Sequence, residues 1–120
     1  MAKKFYVTTP IYYPNDKLHI GHSYTTTLAD YISRYKKMQG YETMFVTGAD
    51  EHGQKIQEKA IEACQEPEKF VEAMTNSFKN LWEELGINYD IFIRTTNKKH
   101  MEYVSNSFTE LMEKGYIFKW

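Results

Sequence analysis

Short apolar runs and helical spacings divide this chain into alternating strands and helices. Runs rich in aromatic and β-branched residues predict buried strands at 5–9 and 43–47 and a third strand at 89–94. Apolar residues three and four apart predict helices at about 20–39, at 54–64, from Pro67 up to Gly86, and at about 98–114. A strand, a helix and a strand over this length are typical of a βαβ unit with parallel strands. The pattern therefore predicts an α/β fold.

Each long helix carries an apolar stripe that we expect to pack in the core. On the first helix, Asp30, Arg34 and Lys37 fall on the opposite, polar face. A stripe at helical spacing is far more often core than ligand site. The stripes are Tyr24, Leu28, Tyr31, Tyr35 and Met38 on the first helix, Phe70, Met74, Phe78, Leu81 and Leu85 on the third, and Met101, Val104, Phe108 and Leu111 on the fourth.

Length and composition fit one small globular domain. The chain has 120 residues, 42% of them hydrophobic, and a formal net charge of −1, so no overall basic field favours nucleic acid. Its one cysteine, Cys64, cannot form an internal disulfide, which points to a reducing, cytoplasmic compartment, and we expect it to be buried or inert. The sequence has no apolar run long enough to span a membrane and no signal-peptide pattern.

The segment between the first strand and the first helix holds the strongest chemical signal. It reads Pro-Ile-Tyr-Tyr-Pro-Asn-Asp-Lys-Leu and ends in His19-Ile20-Gly21-His22, where the helix is predicted to begin. A helix N-terminus attracts phosphate through its unpaired N–H groups and its dipole, and imidazole N–H groups add donors. Gly21 lacks a Cβ, so a flat ring such as adenine could approach the backbone closely. These features together indicate a nucleoside triphosphate site.

A second block begins at the end of the next strand and reads Val46-Thr-Gly-Ala-Asp-Glu-His-Gly-Gln-Lys-Ile56. Ligands of open α/β sheets bind at the carboxyl ends of strands, so the two blocks meet if their strands are neighbours. Asp50 then has two interpretations, a partner for an ammonium group or an N-cap of the helix at 54–64. The pair His19 and His22 also has other interpretations, as surface or half-buried histidines or as two ligands of a metal site. The other ligands of such a site would come from Asp16, Asp50, Glu51 and His52.

Together the two blocks resemble the methionyl-tRNA synthetase family of class I aminoacyl-tRNA synthetases. The resemblance implies a Rossmann-type fold, of which this chain is the first half, and activation of methionine by ATP with Mg²⁺ before its transfer to tRNA. It also implies roles for single residues, with no role assigned to Glu51 or His52. These are His19 and His22 as catalytic residues, His19, Gly21 and His22 as ATP contacts, and Ile11, Tyr13 and Asp50 as methionine contacts.

The family's second signature, a Lys-Met-Ser-Lys-Ser loop, is absent from the sequence. We therefore expect residues 1–114 to be the N-terminal half of the catalytic domain and 115–120 the start of the connective insertion. We expect tRNA to be bound by regions outside this chain, and the chain alone to be inactive. Two other hypotheses stay open here. One is a metal-dependent hydrolase using His19, His22, Asp50 and His52, and the other is a non-catalytic binding module.

Overall fold

A computed structural model describes residues 3–119, and within them the chain forms three strands and four helices. The helix and strand bounds lie within two or three residues of those predicted from the sequence. In chain order the elements are β1 (Lys4–Thr8), α1 (Ile20–Met38), β2 (Glu42–Ala49), α2 (Gln54–Glu62), α3 (Pro67–Glu84), β3 (Ile91–Arg94) and α4 (Lys98–Glu113).

The strands form one parallel sheet in the order β1-β2-β3. Val7 pairs with Phe45 and Val46 pairs with Ile91, so all three strands end at the same edge. Helix α1 connects β1 to β2, and α2 with α3 connects β2 to β3. The α/β fold with parallel strands is therefore confirmed. As an edge strand, β1 is only half buried and Tyr6 is exposed, so the prediction of a buried strand there is wrong.

Gly48 fixes how closely β2 and β3 approach each other. A Cβ at this position would lie 2.2 Å from the carbonyl oxygen of its strand partner Ile93. Main-chain atoms of a paired strand cannot move aside, so no other residue fits here without parting the strands. Gly48, the first of the two glycines in the second block, is thus explained by the sheet itself.

The core lies between the sheet, α1 and α3. Phe45 and Ala49 of β2 pack with Phe78 and Trp82 of α3, and all four are fully buried. The stripe predicted on α3 is only partly right, because Leu85 is exposed. The buried positions of this helix are Val71, Thr75, Phe78 and Trp82.

Helix α1 turns the opposite face from the predicted one toward the protein. All members of its aromatic stripe, from Tyr24 to Met38, are exposed. Small residues face the sheet instead, because they let the helix backbone come close to β1 and β2. Asp30, which the sequence pattern places on the polar face, is buried with them, and its carboxylate accepts from the Asn88 N–H at 2.9 Å and from Arg34 Nε at 2.6 Å.

Helix α4 buries none of its residues, so the core packing predicted for its stripe is wrong within the described part of the chain. Its predicted N-cap is confirmed, since the Asn97 side chain accepts from the Lys99 N–H at 3.0 Å.

Cys64 is exposed rather than buried, and its positive φ of 53° lies just beyond the end of α2. The segment 115–120, predicted to be the start of a connective insertion, includes Trp120, which lies outside the described residues. Between residues 3 and 119 no helix is long and apolar enough to cross a membrane.

Candidate functional site

The two histidines cap their own helix. His19 is the N-cap of α1, and its Nδ1 accepts from the Gly21 N–H at 3.1 Å. In return, Nδ1 of His22 accepts from the His19 N–H at 3.1 Å. This is a capping box built from imidazoles in place of a hydroxyl and a carboxylate. The ring centroids lie only 3.9 Å apart, so the two side chains form one unit.

The capping box determines which nitrogen of each ring carries the proton. An Nδ1 atom that accepts a hydrogen bond is unprotonated, so a neutral imidazole has its proton on Nε2. Burial, and to a smaller extent the neighbouring His19, lower the pKa of His22, which favours that neutral form. The main-chain N–H groups of His19 and Gly21 are used by the cap. The N–H groups of His22 and Ser23 donate to the His19 carbonyl, at 3.0 and 3.3 Å. The donors that this helix start offers an anion are therefore mainly imidazole Nε2–H groups, in place of most of the backbone donors expected from the sequence.

Gly21 is required by the His19 side chain. A Cβ on Gly21 would lie 2.9 Å from Cε1 and 3.0 Å from Nδ1 of His19. The imidazole would have to leave its capping position to make room. The need for a glycine at position 21 is therefore explained by the capping imidazole, without a bound adenine.

The two sequence blocks meet at Tyr12. Its N–H donates to the Gly48 carbonyl at 3.1 Å, and its carbonyl accepts from the Asp50 N–H at 2.9 Å. These bonds extend the β1–β2 pairing by a bridge between Tyr12 and Ala49. The Tyr12 ring meets the His22 ring edge-on, with 4.7 Å between centroids. The convergence expected from strand-end geometry is thus present. Sequence reasoning passed over Tyr12 because its neighbours Ile11 and Tyr13 match the family's substrate positions.

Asp50 lies just past the end of β2 and does not cap a helix. The N-cap of α2 is Gly53, with no side-chain cap bond, so the N-cap interpretation of Asp50 is wrong. Its Oδ1 lies 3.5 Å from the Thr95 hydroxyl, which accepts from the Glu51 N–H at 2.8 Å. The Asp50 side chain is only partly buried. Its carboxylate is therefore placed by the main chain and by one long hydroxyl contact.

Glu51 ties the ends of two strands to α3. Its carboxylate is completely buried, and Oε1 accepts from Arg94 Nε at 2.8 Å and from the Thr75 hydroxyl at 2.6 Å. The Thr96 hydroxyl donates to Oε2. All of these donors are protein groups, so Glu51 holds the framework beneath the strand ends. His52 is exposed and reaches the Thr95 carbonyl at 3.3 Å through Nε2.

A cavity of about 320 Å³ joins most of the predicted site residues. The exposed side chains of Ile11 and Tyr13 line it together with His19 and His22, while Asp50 is not part of its lining. A second cavity of about 550 Å³ runs from Tyr13 past His52 along the start of α2. Within residues 3–119 no three His, Cys, Asp or Glu side chains gather so that they could hold a metal ion. The four side chains that the hydrolase hypothesis needs therefore do not form a ligand set.

A parallel sheet with a helix that begins at its carboxyl edge is the arrangement shared by the open α/β class of proteins, which bind their ligands at that edge. A sequence profile described as tRNA synthetases class I (M) matches residues 5–120. The chain belongs to this family.

Curated relatives support the same assignment. The chain is 54% identical over 119 residues to a methionine–tRNA ligase of Caldanaerobacter subterraneus subsp. tengcongensis, covering 99% of this chain and 19% of the relative. It is 48% identical over 116 residues to that of Thermotoga maritima, covering 97% of this chain and 18% of the relative. The chain thus spans about a fifth of the length of these relatives.

Solved structures agree with the fold. Mycobacterium tuberculosis methionyl-tRNA synthetase in complex with methionyl-adenylate matches with a TM-score of 0.82 and 40% identity, over 83% of this chain and 20% of that one. The LeuRS of Agrobacterium radiobacter K84, in a ternary complex with tRNA and LeuAMS, matches with a TM-score of 0.88 and 28% identity, over 98% of this chain and 15% of that one. The fold is therefore shared with a synthetase for a different amino acid.

Proposed function

We propose that a protein carrying this chain in its catalytic domain is a methionine–tRNA ligase. A carboxylate oxygen of methionine attacks the α-phosphorus of ATP, the bond to the β,γ-phosphates breaks, and pyrophosphate leaves. A hydroxyl of the tRNA terminus then attacks the carbonyl carbon of methionyl-adenylate, and AMP leaves. Family membership and about 50% identity to methionine–tRNA ligases support this reaction.

The observation that carries the proposal is the reciprocal cap between His19 and His22. It fixes both Nδ1 atoms on the backbone and leaves Nε2–H as the donor of each neutral ring. In the proposed reaction these donors stabilise negative charge that develops on the phosphate oxygens as the α-phosphorus becomes pentacoordinate. The methionine carboxylate is already ionised at neutral pH, so the step needs no general base.

Methionine binding is proposed for Ile11, Tyr13 and Asp50. The first two line the cavity beside the histidines with one aliphatic and one aromatic side chain. Such walls suit a thioether, which is polarizable and makes favourable contacts with aromatic rings. The carboxylate of Asp50 supplies a charge-assisted partner for the substrate ammonium group. Its main-chain link to Tyr12 keeps it in register with the cavity wall.

ATP is proposed to lie along the start of α1, in contact with His19, Gly21 and His22. The relative solved with methionyl-adenylate supports the use of ATP. We propose that Mg²⁺ binds together with the triphosphate, whose phosphate oxygens supply most of its non-water ligands. Binding of tRNA is assigned to regions that this chain does not contain.

Amino-acid-dependent exchange of pyrophosphate into ATP tests the proposal. It is measured on a longer protein that carries this chain together with the remaining four fifths of its relatives' length. Methionine should drive exchange, and valine, isoleucine and leucine should not. Exchange driven by one of those three in place of methionine would refute the substrate assignment. The 120-residue chain, assayed beside it, should form no methionyl-tRNA.

A further inference from the structure

We propose that Tyr12 is a positioning residue, which holds the His22 imidazole in a single tautomer and orientation and joins it to the backbone at Asp50. The role of that geometry in catalysis depends on the proposed function, while the geometry itself can be measured on this chain. Tyr12 lines the cavity but is only 6% exposed, and its hydroxyl is bonded to Thr26, so it offers the cavity no free reactive group.

The Tyr12 ring bears directly on the His22 imidazole. The two rings meet edge-on, at an interplanar angle of 77° and a centroid distance of 4.7 Å. Trp82 lies behind Tyr12, with 6.1 Å between ring centroids, and is fully buried in the core. Tyr12 therefore cannot withdraw from His22, and rotation of the imidazole away from its Nδ1 contact with the His19 N–H is opposed by a fixed ring.

The Tyr12 hydroxyl reaches the main chain of the same histidine. The Thr26 hydroxyl has one proton, and it donates that proton to the His22 carbonyl at 2.9 Å. The bond of 2.9 Å between the Tyr12 and Thr26 hydroxyls must then use the tyrosine proton. A directed relay results, in which Tyr12 donates to Thr26 and Thr26 donates to His22. Tyr12 thus restrains both the side chain and the carbonyl of His22.

The main chain of Tyr12 carries the link to the other proposed substrate group. Its hydrogen bonds to the Gly48 carbonyl and the Asp50 N–H, at 3.1 and 2.9 Å, set the position of the chain where β2 ends. One residue therefore contacts the phosphate-facing histidine through its ring and the start of Asp50 through its backbone. The distance between the proposed donors to phosphate and the proposed partner of the ammonium group is fixed through Tyr12.

The test is an NMR measurement of the His22 ring nitrogens in the 120-residue chain labelled with ¹⁵N-histidine. Wild-type His22 should show only the Nε2–H tautomer and a pKa below about 6.5, the ordinary histidine value. Tyr12→Phe keeps the ring and should leave both properties unchanged. Tyr12→Leu removes the ring and should give a mixture of tautomers and a pKa that rises toward the ordinary value. Tyr103→Leu, at an exposed tyrosine of α4, is the matched control and should match wild type.

An unchanged tautomer and pKa in a folded Tyr12→Leu chain would overturn the proposal. If far-ultraviolet circular dichroism shows that this variant does not fold, the proposal is tested on the wild-type chain instead. There, nuclear Overhauser contacts between the Tyr12 and His22 rings must be present, and their absence would overturn the proposal equally. A longer protein that fails methionine-dependent exchange would contradict the proposed function and leave these measurements as they stand.

Discussion

Arg94, the last residue of β3, donates through Nε to the buried carboxylate of Glu51 at 2.8 Å. The arginine side chain is 31% exposed and that of the glutamate is 0% exposed, so the pair joins the surface to the interior. Thr75 of α3 and Thr96 donate to the same carboxylate. A charge taken out of water is tolerated only when it is paired and hydrogen-bonded, and Glu51 meets both conditions.

Glu51→Ala should therefore lower the free energy of unfolding by about 3 kcal/mol, because it leaves a guanidinium and two hydroxyls without their acceptor. Urea unfolding of the purified chain measures the change. Glu62→Ala is the matched control, since it breaks only the exposed ion pair with Lys59 and should change stability by about 0.5 kcal/mol or less. Equal losses in the two variants would show that Glu51 has no special structural role.

Gly48→Ala should destabilise the chain by about 3 kcal/mol or more, because the added methyl must force β2 away from the Ile93 carbonyl. The loss is measured by urea unfolding, and the parting of the strands by faster amide hydrogen exchange in β3. Met44→Ala is the control on the same strand, at a half-exposed position, and should cost about 1 kcal/mol or less. A Gly48→Ala chain as stable as wild type would contradict the close approach of the strands.

The order and type of the elements could be predicted from sequence, but the packing of the helices could not. On α1 the aromatic stripe has the right spacing for a buried face, yet Thr26, Ala29 and Ser33 face the sheet. Periodicity locates a helix and its two faces. Which face packs depends on how closely the backbone can approach, and small residues allow the closest approach. The burial of Asp30 could not be predicted either, because its hydrogen-bond partner Asn88 is remote in sequence.

For the candidate site too, some features could be predicted from the sequence and others could not. The positions of His19, Gly21 and His22 at a helix start follow from the local sequence. That their Nδ1 atoms accept the cap hydrogen bonds is seen only in the structure, because histidine is not among the usual capping residues. Tyr12 could have been noticed as an aromatic residue two positions from each of two prolines, Pro10 and Pro14. Its contact with His22 depends on the turn and bend at 14–16, which bring the chain back and which no sequence period describes.

The stability of the chain should depend on pH through His22. Burial, followed by the proximity of His19, lowers the pKa of His22 in the folded state, so the unfolded chain binds this proton more readily. The contribution is fully present above about pH 6.5 and is lost as the pH falls from there through the lower folded pKa. Urea midpoints between pH 7.5 and 5 measure it. His22→Gln should flatten this dependence, whereas His100→Gln, which leaves the cap intact, should keep it.

In the longer protein, His22→Ala should slow formation of methionyl-adenylate about 100-fold and change the dissociation constant of methionine little. The reason is that its Nε2–H donor is needed mainly as charge develops in the transition state, where one such donor is worth about 3 kcal/mol. Single-turnover kinetics separate the two effects. His100→Ala on α4 serves as the control and should keep the wild-type rate. An unchanged rate in the His22 variant would contradict the proposed role.

Asp50→Asn in the longer protein should weaken methionine binding at least 30-fold, since a substrate ammonium that loses its charged partner forfeits about 2–5 kcal/mol. ATP affinity should stay nearly constant, because the carboxylate is assigned to the amino acid. Isothermal titration calorimetry with each ligand separately measures both constants. Glu102→Gln removes an exposed acidic group from α4 and should leave both constants unchanged. Helix α2 is capped at Gly53, so an Asp50 variant should also keep its fold by circular dichroism. Equal losses of affinity for ATP and methionine would therefore show that Asp50 shapes the strand end as a whole and does not bind the ammonium group.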